Sequence, residues 1–175
     1  PVGRVIGHYE LLEPLGAGGM GVIYKARDQA LERLVALKLL PPHLTASAEA
    51  RARLRSEARA ASALDHPNIG VVYEIGETSS GPEDAEGGCL FIAMAYYEGE
   101  TLQAKIEQGA LPVAEAVDYT RQLLEGLSRA HEAGIVHGQI DGDHLVLAHL
   151  THRDRLAGER GAPLRAHPGP GRVDG

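Results

Sequence analysis

The first half of the chain carries short segments in which apolar residues alternate with polar ones or form nearly continuous runs. Segments 9–16, 21–28 and 33–40 have this character, and glycine or turn residues separate them. Segments 70–77 and 90–97 repeat it further along the chain. The pattern therefore predicts a five-stranded antiparallel sheet.

Between the third and fourth predicted strands, residues 47–64 have helical spacing instead. The apolar face of this helix comprises Ala50, Leu54, Ala61 and Leu64. Glu57 falls on that same face. Because a buried carboxylate is costly without a partner, Glu57 indicates an ion pair inside the fold.

The second half of the chain changes character. Residues 101–109 predict a short helix, and residues 111–134 a long one with Pro112 in its first turn. The predicted buried stripe of the long helix is Val113, Val117, Thr120, Leu124, Leu127 and Ala130. From Arg153 to Gly175, 16 of 23 residues are Arg, Gly, Pro or Ala, so we expect a disordered, low-complexity tail over 151–175.

Composition narrows the possible classes of protein. The 175 residues are 43% hydrophobic and 23% charged, which suits one globular domain with a real core. A net charge of −7 argues against a nucleic-acid binder, and the single Cys89 excludes a disulfide framework or a Cys-based zinc site. The lone cysteine fits a reducing cytoplasm, and no apolar run is long enough to span a membrane, so we expect a cytoplasmic protein without a membrane partner.

A glycine-rich turn joins the first two predicted strands. Gly16, Gly18 and Gly21 have the spacing G-x-G-x-x-G, and the β-favouring residues that follow indicate a second strand instead of a helix. Glycines in such a turn can lie close over a phosphate chain because no Cβ intervenes. A plain glycine-rich hairpin is the alternative interpretation.

Lys38 interrupts the apolar segment 33–40. A lysine on the solvent face of the strand would explain it simply. Glu57 favours another explanation, because the two residues look misplaced singly and together form an ion pair.

Together these motifs resemble the signature set of protein kinases: the glycine turn, then Val35-Ala36-Leu37-Lys38, then Glu57. The stretches GAGGMG and EARAASALDHPNI look like bacterial, eukaryotic-type serine/threonine kinases, and the likeness covers roughly residues 8–148. It implies an α+β fold with a small lobe at 8–97, made of the sheet and one helix, and an incomplete helical large lobe at 98–150.

The resemblance implies an ATP site in the small lobe. Lys38 would hold the α- and β-phosphates with Glu57 beside it, while Met94 would be the gatekeeper before a hinge at 95–97. An acid usual in the family is replaced by Ala95, at little cost because hinge contacts are mainly backbone. The implied ATP-binding set is Leu15, Gly16, Gly18, Gly19, Gly21, Ile23, Ala36, Lys38, Glu57, Met94, Ala95 and Tyr97.

The catalytic loop of the family matches GIVHGQIDGDHLVLAH, residues 134–149, with its working groups replaced. His137 matches the family's histidine, but Gln139 stands for the catalytic Asp, Asp141 for a Lys, and His144 for the Mg²⁺-binding Asn. A neutral amide cannot act as a base, and an acid beside the γ-phosphate opposes transfer. His144 is a poor ligand for Mg²⁺, which weakens the expectation of that ion.

No D-F-G or A-P-E motif follows, and the His-Arg-Asp at 152–154 lacks the Lys and Asn that belong after it. The resemblance therefore predicts a kinase-like ATP-binding chain that is catalytically impaired. One alternative is a pseudokinase scaffold, with a protein partner covering the incomplete large lobe, and another is a non-functional gene fragment. A third is a metal site formed by His137, Asp141, Asp143, His144, His149 and His152.

Overall fold

The computed structural model of the chain describes residues 2–19, 21–78, 89–136, 140 and 146–147. The strands are β1 (Val5–Ile6), β2 (Tyr9–Gly18), β3 (Gly21–Asp28), β4 (Arg33–Leu39), β5 (Val72–Thr78) and β6 (Cys89–Ala95). The helices are α1 (Ala48–Ser62), α2 (Leu102–Glu107) and α3 (Val113–Glu132), with a 3₁₀ turn at Pro42–Leu44.

The strands form one antiparallel sheet in the order β1-β2-β3-β4-β6-β5. The five predicted strands and the inserted helix are confirmed. The two-residue strand β1 was not predicted, because a pair of residues is too short to show alternation.

The register of the sheet separates two faces. Residues directly opposite one another in neighbouring strands point to the same side of the sheet. The inner face supplies the buried core, which includes Tyr24, Val35, Leu37, Phe91 and Ala93. The other face, called the site face below, carries Ile23, Lys25, Ala36, Lys38, Ile92 and Met94.

The sheet curls around the core, so that β2 near one edge approaches β5 at the other edge. The Tyr9 hydroxyl in β2 donates to Glu74 Oε2 in β5 at 2.7 Å. The Tyr9 ring meets the Phe91 ring edge-on, with 5.7 Å between centroids. An added Cβ at Gly76 would lie within 2.2 Å of Phe91 Cζ, so the closure depends on a glycine there. The curl encloses one continuous core.

Helix α1 lies against β5. Its N-cap is Ser47, whose Oγ accepts from the Ala50 amide at 3.0 Å, and Arg51 and Arg55 both pair with Glu77 of β5. The prediction that Glu57 lies on the buried face is wrong, because its side chain is 62% exposed.

The residue of α1 that the fold buries is Ala58. Positions 57 and 58 lie on opposite sides of the line through Leu54 and Ala61 on the helix surface, so the sequence alone does not show which of them faces the sheet. The helix therefore turns its small apolar residue inward and leaves the carboxylate of Glu57 in solvent.

Helix α3 rests on the loop that precedes β5, and it does so through its small and polar face. Gln122 is 4% exposed and Gly126 is buried, and the backbone oxygen of Asn68 would lie 3.0 Å from a Cβ added at Gly126. Asn68 Nδ2 donates to the Gln122 carbonyl at 2.9 Å.

None of the helices in the described ranges combines the length and apolarity needed to span a bilayer.

The predicted buried stripe of α3 is therefore wrong over its first three turns. Val113 is 80% exposed, Val117 63% and Leu124 58%, and Thr120 is exposed with them. Leu127 and Ala130 are partly buried, as predicted. The hydrophobic spacing located an apolar face correctly, but the described residues leave most of that face uncovered.

Candidate functional site

The site face brings together four of the residues implied by the resemblance. Ile23 of β3 lies opposite Lys38 of β4, and Ala36 lies opposite Met94 of β6. Ala36 is almost fully buried, while the other three are partly exposed. Strands β3, β4 and β6 thus place two aliphatic side chains, the Lys38 ammonium and a methionine on one surface.

The glycine-rich turn continues the hairpin of β2 and β3, as predicted. Gly18 pairs with Gly21 at its end, and nothing lies within 4 Å of a Cβ added at Gly16, Gly18 or Gly19. Gly21 has φ +113°, and a Cβ there would meet the Leu39 carbonyl oxygen at 2.0 Å. The open space above the first three glycines fits a phosphate chain that approaches the backbone closely.

Two bulges interrupt β2 at the base of this hairpin. The register with β3 shifts between Leu11 and Glu13 and again between Pro14 and Gly16. Leu15 therefore stands outside the regular pairing, with its side chain largely exposed. Such bulges re-aim side chains and are frequent beside functional sites.

Lys38 and Glu57 do not form the predicted ion pair, although the structure describes both residues. Glu57 pairs instead with Arg53 Nε at 3.6 Å, one helical turn away on α1. The cause is the orientation of α1, which points Glu57 into solvent. Lys38 remains half-buried in the middle of the site face, between Ile23 and Ile92.

The implied hinge follows the end of β6. The Ala95 amide donates to the Val71 carbonyl at 2.9 Å, and the Tyr97 hydroxyl accepts from the Val71 amide at 3.4 Å. Burial raises the pKa of the Tyr97 phenol, so this group stays protonated. Both contacts fix the hinge to the residue just before β5.

Sequence reasoning missed a charged cluster at the edge of the site face. Lys25 Nζ lies 3.0 Å from Glu13 Oε1 and 4.9 Å from the centroid of the Tyr96 ring. The hydrogen bond to Glu13 raises the pKa of Lys25, so the ammonium stays charged. The alternation of β3 places Lys25 on the same face as Ile23, but it gives no sign that Glu13 and Tyr96 lie beside Lys25.

The replaced catalytic-loop residues His137, Gln139, Asp141 and His144 lie outside the described residues, as do Asp143, His149 and His152. The described part of that region is attached beside the hinge. Val146 forms a bridge with Thr101, and the Leu147 amide donates to the Glu100 carbonyl at 3.0 Å. Within the described ranges, no three His, Cys, Asp or Glu side chains converge as a metal site.

The known proteins that this chain resembles belong to a single family. Residues 9–150 match the protein kinase domain family. The chain is 36% identical over 148 residues to the serine/threonine-protein kinase PrkC of Bacillus subtilis, covering 84% of this chain and 22% of that protein. It is also 36% identical over 147 residues to PknD of Mycobacterium tuberculosis, covering 83% of this chain and 21% of that protein.

Solved structures agree with the sequence comparison. The crystal structure of the Mycobacterium tuberculosis PknI kinase domain superposes with a TM-score of 0.72 at 28% identity, covering 85% of this chain and 57% of that one. The chain thus spans about a fifth of the length of the curated relatives it matches.

Proposed function

Because the chain belongs to the protein kinase family, among bacterial serine/threonine kinases, we propose that it binds ATP on the site face beneath the glycine-rich hairpin. The observation that carries this proposal is the register that places Ile23, Ala36, Lys38 and Met94 together. The open backbone at Gly16, Gly18 and Gly19 supports it further.

Each residue then has a role set by its position. Ile23 and Ala36 would contact adenine, and the 95–97 backbone would hydrogen-bond its edge beyond the Met94 gatekeeper. The Lys38 ammonium would hold the phosphates as a point charge. For Glu57 to reach Lys38, α1 would have to turn the Glu57 side chain from solvent towards the sheet.

ATP binding can be tested by thermal unfolding. We expect the Tm to rise with ATP concentration, because a ligand that binds only the folded state stabilises it. Lys38→Met should weaken ATP binding roughly tenfold or more, the loss expected for a hydrogen bond to a charged group. Arg59→Met, at an exposed position of α1, is the matched control and should bind ATP as the wild type does. An unchanged wild-type Tm in millimolar ATP would refute the proposal.

We also propose that this chain alone does not transfer the γ-phosphate to protein serine or threonine. Gln139 supplies no base, and Asp141 adds a negative charge where the family has a cation. His144 is a weak ligand for Mg²⁺. A radiolabelled ATP assay with a generic basic protein should show no incorporation. Turnover that Lys38→Met abolishes would prove this proposal wrong.

The exposed face of α3 favours a second candidate function, that of a protein-binding module. The face lines an open, mostly apolar groove of about 730 Å³, formed by Leu111, Val113, Ala116, Val117, Thr120, Arg121, Leu124, Glu125 and Ser128. Exposed apolar patches of this kind mark interaction surfaces. In this proposal residues 8–97 form the small lobe, 98–150 contribute to the large lobe, and a protein partner covers the groove on α3.

Gel filtration separates the two functions. If the groove binds protein, the wild type should elute at a larger apparent size, either with a partner protein or as a self-associated species. Val117→Glu should reduce that association and leave the affinity for ATP unchanged. Ala114→Glu adds the same charge on an exposed position of α3 that does not line the groove. Equal elution of the two variants and the wild type would exclude the groove as a binding surface.

A further inference from the structure

The hinge cluster, comprising Glu13, Lys25 and Tyr96, lies where three segments of the proposed ATP site meet. Glu13 belongs to β2, Lys25 to β3, and Tyr96 directly follows β6. Lys25 lies opposite Ala36, which in turn lies opposite Met94. The cluster therefore borders the residues assigned to adenine and stands apart from the tip of the glycine hairpin.

At the base of the glycine hairpin, strand β2 is irregular on both sides of Glu13. The bulges between Leu11 and Glu13 and between Pro14 and Gly16 weaken the ladder that would otherwise set the hairpin's register. Between them, Glu13 pairs with Lys25 both in the strand register and through its carboxylate at 3.0 Å. The ion pair therefore joins β2 and β3 within the short regular stretch from which the hairpin extends.

The same ammonium reaches the hinge. Lys25 Nζ lies 4.9 Å from the Tyr96 ring centroid, within the range of a cation–π interaction. Only a fifth of the Lys25 side chain is exposed, so most of its aliphatic stem is covered by the protein. Lys25 therefore connects the base of the hairpin to the segment after β6.

We propose that Lys25 is a positioning residue that sets the spacing between the glycine hairpin and the hinge, and thereby the width of the adenine slot. The inference rests on the proposed ATP binding and deepens it. Adenine would lie between the Ile23–Ala36 surface and the 95–97 backbone, and the hinge cluster spans the same two walls. Lys25 acts through Glu13 and Tyr96 and does not itself contact phosphate.

This position predicts a specific pattern of nucleotide affinities. Lys25→Met keeps the stem and removes the charge, so adenosine and ATP should both bind roughly three- to tenfold more weakly, in equal proportion. Lys25→Arg keeps both the ion pair and the ring contact and should restore binding to within about twofold. Lys38→Met, by contrast, should weaken ATP far more than adenosine.

Isothermal titration of the whole chain with adenosine and with ATP tests the inference. Arg27→Met is the matched control, because Arg27 is an exposed basic residue two positions along the same strand and should leave both affinities unchanged. Glu13→Gln, which weakens the ion pair while leaving the strand intact, should fall between wild type and Lys25→Met. Circular dichroism melts confirm that each variant is folded.

The possible failures are distinguishable. If the wild type binds ATP and Lys38→Met weakens it, but Lys25→Met binds adenosine like Arg27→Met, the positioning role is overturned and ATP binding stands. If Lys25→Met weakened the binding of ATP but not that of adenosine, the positioning role would also be overturned. The Lys25 ammonium would then act at the phosphates and not at the adenine slot. If the wild type binds neither ligand, the proposed function and this inference fail together.

Discussion

At the scale of single residues, two glycines of the same hairpin have opposite requirements. Gly21 has φ +113°, and an added Cβ would lie 2.0 Å from the Leu39 carbonyl oxygen, a backbone atom that cannot move aside cheaply. Gly19 has open space around it and no positive φ. We expect Gly21→Ala to lower the free energy of unfolding by roughly 2 kcal/mol or more, and Gly19→Ala to change it by less than about 0.5 kcal/mol. Urea denaturation measures both, and equal midpoints would contradict the assignment.

Individual residues also show where sequence reasoning reached its limit. The resemblance implied that Ile23 and Ala36 line one site, and the strand register puts both on the site face, because alternation along a strand fixes the side of each residue. Helical spacing could not choose between Glu57 and Ala58, whose helical phases differ by a single step. The environment of Lys25 depends on Tyr96, which is 71 positions later in the sequence, so no local pattern could reveal it.

At the scale of elements, the contact between α3 and the loop before β5 depends on Gly126. Replacing it with leucine should push the helix away from Asn68 and cost about 1–3 kcal/mol, the usual range for overpacking. Ala114→Leu introduces the same side chain on an exposed turn of the same helix and should be nearly neutral. Thermal melts compare them, and equal Tm values would mean that α3 does not rest on this loop.

The elements themselves were predictable to within a few residues, and their contacts were not. Helix α3 was expected at 111–134 and spans Val113–Glu132, because proline and glycine mark its ends. The predicted packing face of α3 was wrong, because an amphipathic stripe shows which residues are apolar but not what covers them. Gln122 and Gly126 are buried against Asn68. The Asn68 side chain donates a hydrogen bond to the Gln122 carbonyl, and the Asn68 backbone lies close to Gly126.

At the scale of the whole molecule, closure of the curled sheet joins residues that are distant in sequence. Tyr9 and Glu74 meet from the two ends of the small lobe. Asp28, buried near them, accepts from the Ala30 and Leu31 amides and from Arg33, with His8 Nε2 3.6 Å away. Period-two alternation gives strand positions and faces but says nothing about curvature, so this network could not be anticipated.

The acid sensitivity of the fold should depend on Asp28. Burial alone would raise the pKa of this carboxyl, but the Leu31 and Ala30 amides, Arg33 and nearby His8 together hold the pKa below its ordinary value. A lowered folded-state pKa means that the ionised form stabilises the fold above the unfolded value of about 3.9, and that this contribution is lost as the pH falls further.

Denaturation of the wild type and Asp28→Asn between pH 7 and pH 3 tests this dependence. We expect Asp28→Asn to be about 1–2 kcal/mol less stable at pH 7, because one of the two accepting oxygens becomes an NH2 donor that cannot accept from Arg33 or the backbone amides. The gap should narrow towards pH 3. Asp65→Asn, at an exposed carboxylate after α1, should follow the wild type throughout. A constant gap between wild type and Asp28→Asn would mean that Asp28 supports the closed sheet through its shape alone, without its charge.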